Sequence, residues 1–349
     1  MDGTVRATSW RWWSQYCTAC GVDPWLRDVA PATRSQLLLG FAARTRTGYF
    51  GKGRQVGAQT VEKALRHVAQ AFVLEGYPDP RRSAGSNGAD LALPFTHLLK
   101  SFKDRDPVPK PQVALPVHAI KLASAACLDP TASPRERATA NLIVMAFYFL
   151  LRVGEYTLPP NHVTTRTVQF RVCDTRFWQG QTLLPHTSDA ATLAAASSVT
   201  LMIDNQKNGQ RGDTIHQEAC NSDFCPVHSV AACVSAIMAL NMPLTTPLSY
   251  VQPGISVQPP DILRAVRRGA RLALLESSGY QLTRIGAHSL RASGAMALWL
   301  SGHSPEAIMK LGRWRTQTFL TYIHSQIAAL TTGTSRKMGR SVNFHNVGG

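Results

Sequence analysis

The stretch Leu311-Gly-Arg-Trp-Arg-Thr-Gln-Thr-Phe-Leu-Thr-Tyr-Ile-His324 sets Tyr322 nine residues after Arg313. It follows His288-Ser-Leu-Arg291, and an isolated Arg152 lies far upstream in Leu150-Leu-Arg-Val-Gly-Glu155. Guanidinium is permanently charged and can fork two N–H bonds onto phosphate oxygens. Phosphoryl transfer without a metal needs such a clamp, because negative charge builds in the transition state. Arg152 and Arg291 suit that work. His288 and Arg291 stand three apart, on one helix face, so both side chains can point at one phosphate. A phenol of pKa about 10 costs roughly 4 kcal/mol to deprotonate at pH 7. His288 and the arginines lower that cost by stabilising the phenolate and the phosphate it attacks. The order fits an enzyme that cuts a phosphodiester with a tyrosine nucleophile and keeps the DNA end bound. Tyr148, Tyr156, Tyr250 and Tyr280 have no comparable surroundings.

Two further groups complete the chemistry. In Asp204-Asn-Gln-Lys-Asn-Gly-Gln-Arg211, the pair Asn208-Gly209 lies between β-forming runs at 199–203 and 213–216, a hairpin turn signal. Lys207 would ride that tip into the minor groove. There it can protonate the leaving deoxyribose 5′ oxygen if its pKa falls toward neutrality. Arg211 is a neighbouring alternative for phosphate. Glu155 is placed to orient Arg152 rather than to catalyse.

Arg152 with Glu155, Lys207, His288-x-x-Arg291, the Gly312 step and Tyr322 together resemble the tyrosine recombinase (phage-integrase-like) superfamily. Gly-Arg-Trp and Thr-Phe-Leu-Thr-Tyr-Ile are similar in wording to Crypton and DIRS-type eukaryotic mobile-element members. The resemblance spans most of 117–324. It implies a site-specific recombinase acting through a 3′-phosphotyrosine, with no cofactor and no metal. It also implies double-stranded DNA as partner, a homotetramer on two DNA sites (monomer or dimer without DNA), and a nuclear location. One position departs from the family. Most members carry His or Trp nine residues before the tyrosine, and here Arg313 stands there with Trp314 next. Either Arg313 meets the phosphate as a third cation, the preferred expectation, or the Trp314 indole N–H does. A type IB topoisomerase-like relaxing enzyme and a non-catalytic DNA-binding protein are the competing readings.

Composition agrees with a nucleic-acid partner. The 349 residues carry 37 Lys+Arg against 21 Asp+Glu, net +16, and residues 1–110 and 111–349 are each basic. Arg264, Arg267, Arg268 and Arg271 recur at helical spacing, and Arg44, Arg46, Lys52 and Arg54 surround a glycine-rich loop. All eight are expected DNA contacts. The seven cysteines read as free thiols: the Cys220/Cys225/His228/Cys233 spacing matches no common finger, and neither it nor the Cys17-x-x-Cys20 pair has an obvious second half for zinc. No signal-peptide features are expected, and Leu142–Leu151 is too short an apolar run for a bilayer.

The length favours two domains. Helices are expected near 9–20, 33–47, 59–75 and 93–103, forming a helical DNA-binding unit over 1–104. Four prolines between 104 and 116 mark a linker at 105–116. A catalytic domain over 117–330 follows, and 331–349 form a tail that packs on a neighbouring protomer. Within 117–330, helices are expected at 117–127, 135–151 (ending at Arg152), 226–240, 260–277, 288–301 and 304–311, with a further short one at Tyr322. β-Runs at Thr167–Val172 and Ser198–Ile203 complete a mainly α fold with a small antiparallel sheet, an α+β class.

Overall fold

The aromatic opening of the chain folds as expected, into a helix whose indoles make a core. The computed structural model describes residues 3–51, 53–82, 91–107, 113–159, 167–203, 212–286 and 288–320. The chain divides into two units, Met1–Pro109 and Lys110–Gly349.

The first unit holds α1 (Gly3–Ala19), α2 (Pro31–Arg46), α3 (Ala58–Leu74) and α4 (Leu93–Asp104). Apolar positions at three- and four-residue steps put Val61, Ala64, Leu65, Val68 and Phe72 on one buried face of α3. They meet Trp13, Tyr16, Phe41 and Phe95 in a core of their own. Arg46 is an internal strut here, which corrects its expected role as a DNA contact. It donates to Val56 O at 2.6 Å and Phe102 O at 3.3 Å, and pairs with Asp106. With 7% of the residue exposed, its donors serve main-chain carbonyls that would otherwise be buried unpaired. Tyr49 remains exposed, with the Arg44 guanidinium 4.9 Å above its ring.

The second unit begins with buried residues 113–115 (Leu115 N donates to Ser293 Oγ at 2.7 Å), so the end of the proline-rich stretch is anchored in this core. α5 (Val117–Ala125) is followed by α6 (Pro134–Tyr148), which opens on a Ser133/Glu136 capping box and runs almost wholly buried from Leu142 to Phe147. The expected continuation of this helix to Arg152 is corrected. It stops at Tyr148, because Leu150 takes a left-handed conformation (φ 47°) and Leu151 N closes the turn on Ala146 O. Arg152 instead begins a separate short helix, α7 (Val153–Tyr156).

The sheet also differs from expectation in its extent. Thr167–Val172 forms no strand; it runs as coil into a single 3₁₀ turn at Val172–Asp174. The strands are β1 (Thr175–Gln179) and β2 (Thr182–Leu184), then, after the short α8 (Ala190–Ala194), β3 (Ser198–Ile203) and β4 (Asp213–Glu218). They lie antiparallel in the order β2-β1-β3-β4. Val199, Leu201 and Ile203 of β3 face the core while Thr200 and Met202 alternate outward. β3 and β4 pair from Ser198↔Glu218 to Ile203↔Asp213, the pairing expected for the hairpin. The segment with Lys207 and Arg211 lies outside the described residues, as does Lys52.

α9 (Pro226–Ala239), a small β5–β6 hairpin (Tyr250–Gln252, Ile255–Ser256), α10 (Pro259–Leu272), α11 (Ser289–Leu300) and α12 (Pro305–Gly312) complete the unit. α11 crosses α6 very closely at Gly294, where a Cβ would sit 2.4 Å from Phe147 O. That contact brings the first turn of α11 beside the end of α6. No helix among the described residues is long and apolar enough to cross a membrane.

Candidate active site

Three chain segments meet where α6 ends: the Leu150–Glu155 turn, the start of α11, and the end of α12. The left-handed turn at Leu150 presents its carbonyl oxygen, and two arginines from distant sequence donate to it. Arg291 Nη1, 141 residues away, is one. Arg313 Nη2, 163 residues away, is the other at 3.2 Å. Arg291 Nη2 also donates to Gly312 O, which binds the end of α12 to α11. The Trp314 ring lies under the Arg291 guanidinium at 4.3 Å, a cation–π contact in a nearly dry setting. Gly312 makes this possible, because a Cβ there would fall 1.7 Å from the Trp314 ring.

Glu155 is the acidic centre of the group. It is 0% exposed, and a buried carboxylate is stable only when paired and hydrogen-bonded. Its Oε2 accepts from Arg152 N at 2.8 Å and Arg313 Nη2 at 3.0 Å, and its Oε1 from Arg152 Nη1 at 3.0 Å. The expected orienting contact on Arg152 is therefore present. Arg152 keeps 20% of its side chain exposed, whereas Arg291 is 3% exposed, its guanidinium oriented by two carbonyls.

Arg313 departs from the preferred expectation of a third phosphate cation. Its side chain is 2% exposed and turned onto Glu155. Burial pulls its pKa down from the ordinary arginine value, and the Glu155 charge opposes that shift. Nε and Nη1 are buried without a hydrogen-bond partner among the described residues. The backbone at Arg313 is left-handed (φ 55°), the position that closes α12 through Trp314 N to Met309 O, and glycine is the usual occupant.

His288 is exposed and stands just before the first turn of α11, one turn before Arg291. Phe319 is fully buried and packs with Trp314 at 5.6 Å between ring centres. The described chain ends at Leu320, so Tyr322 and the 331–349 tail lie outside it. The arginines of α10 are mostly engaged nearby: Arg264 pairs with Asp261, Arg267 donates to Ile285 O at 3.1 Å, and Arg268 to Ala126 O at 3.2 Å. Arg264, Arg268 and Arg271 still present an exposed face. The described residues hold no metal-binding group of three or more His, Cys, Asp or Glu, and all seven cysteines are free.

Sequence reasoning missed the Leu150 carbonyl, the Gly312–Trp314 fold-back and the Gly294 crossing. The Leu150 anchor left no signal, since a leucine in left-handed backbone looks like any apolar residue at a helix end. Gly294 was legible as a glycine inside a helix, which is stable only where something must come close.

No protein-family model and no curated protein matches the chain. Among solved structures, it is similar to XerH site-specific recombinase bound to palindromic difH substrate in a post-cleavage complex. The TM-score is 0.51 at 14% identity, over 93% of this chain and 76% of that one. The Tn1549 transposon integrase in complex with circular intermediate DNA gives 0.45 at 13%, over 88% and 87%. XerA recombinase gives 0.40 at 15%, over 95% and 99%. At these identities the likeness is one of fold, and the chain's mainly helical architecture with a small antiparallel sheet is shared with XerH.

Proposed function

We propose that the chain is a site-specific DNA recombinase of a mobile element, in which Tyr322 attacks a scissile phosphate held by Arg152 and Arg291. The phenolic oxygen bonds to phosphorus, the bond to the 5′ oxygen breaks, and Lys207 supplies the proton that leaves a free 5′ hydroxyl. The 3′-phosphotyrosine conserves the bond energy, so the 5′ hydroxyl of a second duplex reverses the step without ATP or metal. His288, at the mouth of α11, serves the phenolic proton. The assembly is a homotetramer on two DNA sites, and the eukaryotic wording of the motifs points to Crypton or DIRS-type elements and a nuclear location. Residues 1–104 act as the core-binding domain, 117–330 as the catalytic domain, and 331–349 as a tail that packs on a neighbouring protomer. Exposed Arg44, Arg54, Arg264, Arg268 and Arg271, with Lys52, Arg211 and Arg267, are the DNA contacts.

The observation that carries the reading is the convergence of Arg152, Arg291, Glu155 and the 312–314 step, scattered over some 160 positions, on one carbonyl and one carboxylate. A buried cluster with three guanidiniums and one acid carries surplus positive charge, which a stability role does not require and a phosphate site does. The test uses a nicked duplex that loses its 5′ fragment on cleavage. Wild-type protein is expected to accumulate a covalent adduct, and Arg152→Gln and Arg291→Gln to bind the same duplex while cleaving it at least 100-fold more slowly. Binding without any adduct, in wild type as in variants, would leave only a DNA-binding role.

A further inference from the structure

We propose that Arg313 acts as a positioning residue and not as a phosphate ligand: it shares the Glu155 carboxylate with Arg152, so that the acid orients Arg152 without cancelling the site's charge. This rests on the functional reading above and deepens it.

The geometry supports this in three ways. Glu155 Oε2 accepts from Arg313 Nη2 at 3.0 Å while Oε1 accepts from Arg152 Nη1 at 3.0 Å, so one carboxylate bridges the two guanidiniums. Arg313 is almost wholly enclosed, its side chain 2% exposed and paired with Glu155, so a duplex phosphate would have to displace what covers it to reach the guanidinium. The position is also unfavourable for stability. It combines left-handed backbone on a non-glycine residue with a buried Nε and Nη1 that meet no hydrogen-bond partner among the described residues, and such combinations persist where function retains them.

Charge counting explains the gain. Arg152, Glu155 and Arg291 alone sum to a single positive charge, because the acid that holds Arg152 also neutralises it. Arg313 raises the sum over these four side chains to two positive charges, with the Asp213 carboxylate acting on it from further off, which suits a phosphorane-like transition state that has gained one negative charge over the diester. A neutral residue at 313 that touches phosphate directly adds a hydrogen bond; Arg313 adds charge from behind. The same contact ties the end of α12, with Arg313 six residues before buried Phe319, to the Arg152 turn.

The test is a double-mutant cycle on full-length protein, reading single-turnover adduct formation at saturating nicked duplex, DNA affinity against salt, and Tm. Arg313→Gln is expected to slow cleavage about 100-fold by loosening Arg152, with the slope of log affinity against log salt unchanged. In a Glu155→Gln background the same substitution is expected to cost less than about threefold, because its partner is already gone. The proposal is overturned if Arg313→Gln costs the same factor in both backgrounds, or if the salt slope drops by about 0.9, the signature of a lost phosphate contact. Rates that merely follow Tm across the three variants, the charge-free double included, overturn it as well. Absence of any wild-type adduct is a different result: it removes the functional reading, and this inference with it.

Discussion

Replacing Gly294 with alanine is the sharpest structural perturbation the site offers. The added Cβ would lie 2.4 Å from Phe147 O, a main-chain atom inside α6 that cannot swing away. A comfortable carbon–oxygen contact is about 3.3 Å or more, so α11 must retreat by about 1 Å. Overpacking of this kind costs about 1–3 kcal/mol. Alanine recovers about 1 kcal/mol of that through its better helix propensity, leaving a net loss of about 0–2 kcal/mol. For a unit of this size the loss lowers Tm by at most about 8 °C. The larger effect is on chemistry, because His288 and Arg291 ride the first turns of the helix that moves. A misplacement of about 1 Å is expected to slow adduct formation on the nicked duplex about 100-fold, with DNA affinity retained. Differential scanning calorimetry and a single-turnover cleavage assay read the two effects. Wild-type stability together with wild-type cleavage would refute the close crossing of α11 on α6 and its role in aiming Arg291.

Other expectations follow from single contacts. Gly312→Ala must expel the Trp314 ring from Arg291, so it and Trp314→Ala should each lower Tm, by about 1–2 kcal/mol of stability, and the double should be no worse than either alone. Tyr156 is wholly buried with a hydroxyl that meets no partner among the described residues, so Tyr156→Phe should be neutral or raise Tm; a clear loss would mean the hydroxyl is satisfied. The Ala58 N–H and Arg46 hold Asp106 below the ordinary carboxylate value; at Asp79 burial raises the pKa, but Arg81 and Arg82 outweigh it and leave it lowered. Their stabilisation is present above about pH 4 and lost as pH falls toward the folded values, so Asp79→Asn and Asp106→Asn should flatten the acid limb of Tm against pH. Arg271→Gln should reduce the salt slope of DNA binding by about 0.9 at unchanged Tm, whereas Arg46→Gln should lower Tm.

Helical periodicity made most of this fold legible. The α3 face of Val61, Leu65, Val68 and Phe72, and the run 142–147, point inward as their spacing requires. The mainly helical class with a small antiparallel sheet, and the β3–β4 pairing, came from the same kind of signal. Boundaries set by a single backbone conformation did not. Leu150 ends α6 three residues before the helical pattern stops, since no glycine or proline marks the place. The strand expected at Thr167–Val172 lost to tertiary packing: Phe170 and Val172 are buried in the core from a coil that pairs main chain with Thr246 and Leu248 instead. For the candidate site, order along the chain singled out Arg152, Glu155 and Arg291, which the fold brings into one contact network with Arg313. Order gave no account of which atoms a guanidinium would face. Arg46 and Arg313 read as surface cations by type and turned out enclosed, because each has a carboxylate within reach, Asp106 and Glu155.

The central claim is that one tyrosine, joined by nine positions to the buried Arg313 turn, attacks a phosphate held by arginines from elsewhere in the chain. Peptide mapping of the trapped adduct tests it most directly. After protease digestion, mass spectrometry is expected to find a single nucleotide-bearing peptide modified at Tyr322, and Tyr322→Phe to yield none. A modified peptide from any other position, or an adduct that survives Tyr322→Phe, would contradict the account.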